Sequence, residues 1–240
     1  MTHQVLGIYS RMEIKDIGTG TTKRDRQQLT YWFVRRMTMD DYELQPLNAN
    51  SVPSGLRTTI SKGDFLKNYN PETGYYETRT LPALKSLQKK VELGEKFFQK
   101  GLLSQAEKEF LKAVMVDEEN AQANLGLGAV YCEQGEFKKV KKVINILLNN
   151  DDAFREEQRQ QFNTFGISLR KQGQHEDAIR FYTRALEVDP DDEHLHFNLA
   201  RVHYDTGDEL ECLRHIETSL TLNPQFDAGL KFLEYLSKKG

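Results

Sequence analysis

Glycines at positions 101, 135, 173 and 207 fall on a nearly regular grid, with intervals of 34, 38 and 34 residues. Each follows a stretch whose apolar residues recur at helical spacing and precedes another of the same kind. The grid therefore predicts paired helices joined by a tight turn, whose left-handed backbone glycine adopts at little steric cost. The flanks repeat as well. Before the turn runs a large–x–x–large–small–x–x–large pattern: Lys90-Leu93-Gly94-Phe97, Asn124-Leu127-Gly128-Tyr131, Phe162-Phe165-Gly166-Leu169 and His196-Leu199-Ala200-His203. After it comes small–x–x–x–large: Ala106 and Phe110, Val140 and Ile144, Ala178 and Tyr182, Cys212 and Ile216. No single pair of helices patterned this way can bury its apolar face, so neighbouring units must stack. The small residues let the two helices of a unit approach closely. The four extra residues of the middle interval fall around 149–158 and lengthen either a connection or a helix by about one turn.

These residues resemble the tetratricopeptide repeat (TPR) family, whose 34-residue unit is a helix–turn–helix. The resemblance covers residues 87–226, and Pro190 and Pro224 close the last two units. The third unit follows the family pattern at every signature position. The second departs most, with Val140 where Ala is usual and no closing Pro, and the fourth places His at two large-residue positions. The resemblance implies a TPR solenoid, or α-α superhelix; with the residues ahead of it reading as a small antiparallel β module, the expected fold is α+β but mainly α. It divides the chain into a β-rich module at 1–70, a linker and helix entry at 71–84, and four units at 87–120, 121–154, 159–192 and 193–226. A capping helix at 227–240 turns Leu230, Leu233 and Leu236 inward.

In the family, partners usually lie along the first helices of the repeats, on the concave side. The phase set by the glycines places Leu125, Asn163, Arg170, Phe197, Arg201 and Tyr204 there, and these are the expected partner-binding residues. Arg170 and Arg201 suit acidic groups, while Phe197 and Tyr204 suit apolar side chains. The alternative is that they are simply exposed or covered by the protein itself. The Lys/Asn clamp with which some TPR proteins grip a carboxylate is absent, because Val91 and Glu95 stand in its places. The implied function is that of a non-catalytic adaptor or scaffold holding a protein or peptide partner, with self-association also open.

Ahead of the repeats the texture changes. Residues 1–80 carry 11 Lys and Arg against 9 Asp and Glu, a net of +2, so residues 81–240 carry the remaining −5 of the chain's −3. Short β-branched and aromatic runs at 4–10, 11–17, 29–37, 42–47 and 56–60 read as strands. Ser61-Lys62-Gly63-Asp64 has the spacing of a helix start. Such a set makes an SH3-like barrel or a curled antiparallel sheet. Tyr31-Trp32-Phe33-Val34 is apolar on both faces and belongs in a central strand, and Pro46 belongs at an edge or bulge. A module of this size is marginal alone and is expected to dock on the first repeat. The tyrosine-rich stretch 68–76 is free either to brace that repeat or to enter the groove.

Other chemistry finds little support. Gly18-Thr19-Gly20-Thr21-Thr22-Lys23 lacks phosphate-loop spacing and reads as a hairpin turn. His194, His196, His203 and His215 crowd the fourth unit, but His196 and His203 are two helical turns apart and no i, i+4 His pair exists, so a structural role is favoured over metal. Cys132 and Cys212 make neither a disulfide framework nor a four-thiolate zinc site, and no His partner marks either as a nucleophile. The carboxylates sit in solvated helical runs. Neither an enzyme nor a cofactor is expected. The cluster Lys23-Arg24-Asp25-Arg26, with Tyr31, Trp32 and Phe33 before Arg35 and Arg36, is the only nucleic-acid hint. It gives a second reading, a nucleic-acid-binding β module with repeats for assembly, which the low net charge disfavours. No apolar run approaches the ~20 residues of a membrane span and no secretory signal is readable, so the expected location is the cytoplasm.

Overall fold

The computed structural model describes residues 4–17 and 24–239. The turn at 18–23 and Lys23 of the basic cluster lie outside the described residues. Contacts gather the chain into two compact units, one formed by Met1–Glu92 with Lys112–Asn120 and the other by Leu93–Leu111 with Ala121–Gly240.

The first unit is built on a five-stranded antiparallel sheet in the order β4-β3-β2-β1-β5. Its strands are β1 (Gln4–Ile17), β2 (Arg24–Arg36), β3 (Asp41–Pro46), β4 (Thr58–Ser61) and β5 (Asn70–Pro71). The runs expected as separate strands at 4–10 and 11–17 are one strand. β1 stays paired with β2 from Gln4↔Arg36 to Ile17↔Arg24, and its single irregularity is a bulge between Val5 and Gly7. The sheet remains open rather than closing into a barrel, with the four-residue β4 and the two-residue β5 at its edges.

β2 is central, as its two-sided apolar run requires. On one face Val34, Tyr42 and Leu44 pack with Phe65 and Tyr69, joined by Leu6, Tyr9, Trp32 and Ile60. Phe65 lies on helix α1 (Lys62–Asn68), which Ser61 caps by accepting the Asp64 N–H. On the other face Tyr75 stacks on Tyr31 and Tyr76 on Phe33. The tyrosines of the 68–76 stretch thus complete the sheet on both sides. Pro46 sits at the end of β3, beyond the residues that β4 pairs, where its missing N–H leaves no ladder bond unmade. The loop after it binds the 112–120 segment. Asn48 and Asn50 each donate to the Val116 carbonyl at 2.9 Å, and the Ser54 hydroxyl donates to Asp117 at 2.7 Å. The module therefore gains what so small a sheet lacks alone by taking a helix-following loop into its own unit.

Helices follow in pairs: α2 (Leu81–Gln99) and α3 (Leu103–Val114), α4 (Ala121–Gln134) and α5 (Phe137–Leu148), α6 (Arg159–Lys171) and α7 (His175–Val188), α8 (Glu193–Thr206) and α9 (Glu209–Leu222), then α10 (Asp227–Lys239). Gly101, Gly135, Gly173 and Gly207 join the pairs at φ between +70° and +78°. The extra residues of the middle interval lengthen a connection. They form two short 3-10 turns, Asp151–Phe154 and Glu156–Gln158, before α6. Phe154 anchors them against Phe162 and Phe181, and Arg184 bonds both the Leu148 carbonyl and Asp151.

The small positions admit aromatic rings at van der Waals distance or closer. A Cβ on Gly94 would stand 2.7 Å from the Phe110 ring, and one on Gly166 would stand 2.3 Å from the Tyr182 hydroxyl. In both cases the neighbour is the second helix of the same pair. At Gly128 it is instead Phe165 of the following α6, at 2.7 Å. Ten of the fourteen residues of α4 are buried, so its small residues face more than one neighbour. α10 covers Ala200, Cys212 and Ile216 with Phe232, Leu233 and Leu236. Leu230, expected inward, is 46% exposed, and Phe232 takes the inward place.

Candidate functional site on the first helices

Within the second unit, α4 floors a cavity of about 350 Å³ with Leu125, Gly126 and Ala129. Glu95, Phe98 and Gln99 of α2 form one wall, and Gln160, Gln161 and Thr164 of α6 form the other. The walls meet over the floor, where the Gln161 amide donates to the Glu95 carboxylate at 2.8 Å. This bridge accounts for the burial of α4 on the side where a first helix would ordinarily be open. The cavity is apolar at its base and amide-rich at its rim, a combination that takes an apolar side chain while bonding the main chain beside it.

A second depression of about 400 Å³ lies along the N-terminal ends of α6 and α8 and the 3-10 turns, and Asn163 lines it. Asn163 accepts a long bond from Asn198 at 3.4 Å. Arg159 pairs with Asp192, whose carboxylate also caps α8 by accepting the His194 and Leu195 N–H groups.

The six residues expected to bind a partner separate into three environments. Leu125 is fully buried in the floor of the first cavity, and Asn163 belongs to the second. The remaining four find partners inside the protein. Arg170 is paired with Asp205 at 2.5 Å, and Arg201 lies over the Phe197 ring at 5.6 Å. Phe197 packs edge-on against Phe226 and Phe232, and the Tyr204 hydroxyl bonds that of Tyr235 at 2.9 Å. Burial and the nearby Arg170 pull the Arg201 pKa below its ordinary value. Sequence reasoning missed Phe98, Gln160 and Gln161. The helical phase places them at the edge of the first-helix face, and only the approach of α2 to α6 makes them walls.

Three histidines converge between α8 and α9. His196 Nδ1 lies 2.9 Å from His215 Nδ1, and the His203 and His215 rings stack with centroids 5.6 Å apart. His215 Nε2 faces Arg214 at 2.9 Å and the Glu211 carboxylate at 3.8 Å. Burial above all, then Arg214 and the other two histidines, pushes the His215 pKa down to about 4, and burial lowers that of His196. The separation of His196 and His203 along α8 hid this meeting, because His215 reaches both from the neighbouring helix.

Both thiols are buried. Burial, with help from Glu133 and Asp177, pushes the Cys132 pKa up to about 12, and burial raises that of Cys212. Neither is an activated nucleophile. In the sheet, Trp32 donates to the Thr30 hydroxyl and meets Tyr69 edge-on, while Phe33 is sandwiched between Tyr76 and the Arg35 guanidinium. The aromatics that suggested base stacking are occupied by the module's own packing. Among the described residues, no helix is long and apolar enough to cross a membrane.

Residues 166–207 match the family model described as TPR repeat. No curated protein sequence matches. Among solved structures, PilF of Pseudomonas aeruginosa is similar at 23% identity and TM-score 0.47, over 63% of this chain and 71% of that one. MamA of MSR-1 is similar at 16% identity and TM-score 0.43, over 58% and 78%. YrrB, described as a TPR protein with an unusual peptide-binding site, is similar at 18% identity and TM-score 0.30, over 60% and 90%. Helix pairs joined by left-handed glycine turns recur through the helical part of the chain, and within it residues 166–207 match the tetratricopeptide-repeat model.

Proposed function

We propose that the protein is a non-catalytic adaptor that holds an extended segment of a protein partner along the first helices, in units spanning 87–120, 121–154, 159–192 and 193–226. The observation that carries this reading is the cavity over α4, where the partly exposed Gly126 and Phe98 lie beneath a rim of Gln99, Gln160 and Gln161, with the buried Leu125 and Ala129 behind them. The partner would insert one apolar side chain there and bond its main chain to the rim amides, continuing past Asn163. Arg170, Phe197, Arg201 and Tyr204 mainly hold the last pair and α10 together, so their contribution to binding is secondary.

Peptide-display selection against the full chain, followed by affinity measurement, tests this. Thr164→Trp, which fills the cavity from its rim, should abolish binding of the selected peptides, whereas Arg170→Ala should weaken it only modestly. Selected peptides that bind Thr164→Trp as tightly as the wild type would remove the cavity from the site.

A further inference from the structure

The meeting of α8 and α9 has the makings of a metal site. Among the described residues, His203, Glu211 and His215 each offer a ligand atom, and the three atoms lie within 4.8 Å of one another. The hydrogen bonds behind them prepare one ligand fully. The Pro190 carbonyl can only accept, so His196 Nε2, at 3.2 Å from it, carries the proton. Neutral His196 then presents a bare Nδ1, which accepts from His215 Nδ1–H. That leaves His215 Nε2 as a lone pair, turned toward Glu211 and Arg214. A chain of this kind, from carbonyl through the outer imidazole to the inner one, fixes the tautomer and orientation of a ligating histidine. Nδ1 of His203 is buried without a hydrogen bond, faces the Asp208 carboxylate at 3.5 Å, and belongs to a residue only 9% exposed. A cation already bridges two of the three: the Arg214 guanidinium donates to both Glu211 and His215 Nε2. Its side chain is 57% exposed and can swing into solvent.

We infer that His203, Glu211 and His215 form a binding site for a zinc-class divalent cation, which replaces the Arg214 guanidinium and staples α8 to α9. Two imidazoles and one carboxylate suit zinc, with water as the fourth ligand. Tetrahedral bonds of about 2.0–2.1 Å need donor atoms about 3.4 Å apart. Glu211, whose side chain is one-third exposed, makes up most of the difference by moving inward. The bound ion would tie residues twelve apart across the Gly207 turn and so stiffen the last helix pair, on which α10 packs.

The test is calorimetric titration of the tag-free full chain with zinc chloride alone, paired with thermal denaturation. One saturable site and a raised Tm are expected. Glu211→Gln leaves a surface position able to keep the fold and should weaken binding at least about tenfold. Arg214→Ala removes the competing cation and should tighten it. His194→Ala, a change to the exposed histidine of the same helix, should leave it unchanged. Absence of saturable binding, or equal affinity in wild type and Glu211→Gln, overturns the site. Weaker binding in Arg214→Ala overturns the exchange of guanidinium for metal.

Discussion

Gly126 lies two residues before Gly128, the small position that the repeat pattern marks in α4, yet it is the most crowded of the described glycines of the array. A Cβ there would stand 2.3, 2.5 and 2.7 Å from three carbons of the Phe110 ring. The ring cannot retreat, because its other side is the surface over Gly94, where a Cβ would stand 2.7 Å away, and Phe110 is only 1% exposed. Two effects oppose each other in Gly126→Ala. The helix gains about 1 kcal/mol from replacing glycine in its interior. Overpacking a closed site costs about 1–3 kcal/mol, with expulsion of the ring, worth about 3–5 kcal/mol, as the ceiling. The contact distances lie far inside van der Waals range, so the upper part of the overpacking range applies and the net expectation is a loss of about 2 kcal/mol. Urea unfolding followed by far-UV circular dichroism measures it. The same substitution in a Phe110→Leu background should cost less than about 0.5 kcal/mol, since the shorter side chain frees the space. A neutral or stabilising Gly126→Ala, or an equal cost in both backgrounds, would refute the argument that ring contact decides the sign.

Gly63→Ala reverses that balance, because its Cβ would meet only the Ser61 hydroxyl at 3.8 Å, and it should raise stability by a few tenths to about 1 kcal/mol in the same assay. Gly173→Val forces a β-branched residue to φ +70° and should lower stability by about 1–3 kcal/mol even though no atom lies within 4 Å of its Cβ. Cys132, buried and with its pKa pushed up to about 12 from 9, should resist thiol reagents at pH 8 and react once urea opens the helices. The raised pKa stabilises the fold below about pH 9 and that contribution is lost as pH climbs toward 12, so labelling should accelerate over that window; rapid labelling of folded protein at pH 8 would contradict the burial. Asn223→Ala removes the donor at 3.0 Å that holds the Glu193 carboxylate below its ordinary pKa, and a carboxylate titration followed by NMR should show the Glu193 pKa rising.

The helical part was legible because its constraint is local and repeated. A left-handed turn admits few residues, so four glycines mark four pairs, and the small–large positions follow from how closely two helices must pass. What the periodicity does not carry is curvature. The repeat pattern pairs Gly128 with its own second helix, but its close neighbour is Phe165 of the next pair. In the sheet, the two-sided apolar run located β2 at the centre, whereas β3, expected at an edge or a bulge because of Pro46, lies between β2 and β4 with Pro46 at its end. Alternation broke β1 in two between Ser10 and Arg11, although its pairing with β2 runs unbroken there and the single irregularity lies between Val5 and Gly7.

The site was harder to read for a reason that follows from the same geometry. A first-helix face can be deduced from phase, and it is the face on which Leu125, Asn163 and Arg170 were chosen. Whether a residue on it is free depends on what a later segment does. Phe197 and Tyr204 are consumed by Phe226, Phe232 and Tyr235, residues of the cap and its approach, 22 or more positions downstream. Gln161 becomes a wall only because Glu95, 66 positions upstream, bends over the floor to meet it. The histidines show the converse. Placed on packing positions, each has an ordinary structural reading by itself, and their joint chemistry exists only after α9 brings His215 between His196 and His203. In a repeat array the stacking that buries the core is also what assembles or covers the sites, so long-range order along the stack, rather than the repeat itself, decides which residues remain available to a partner.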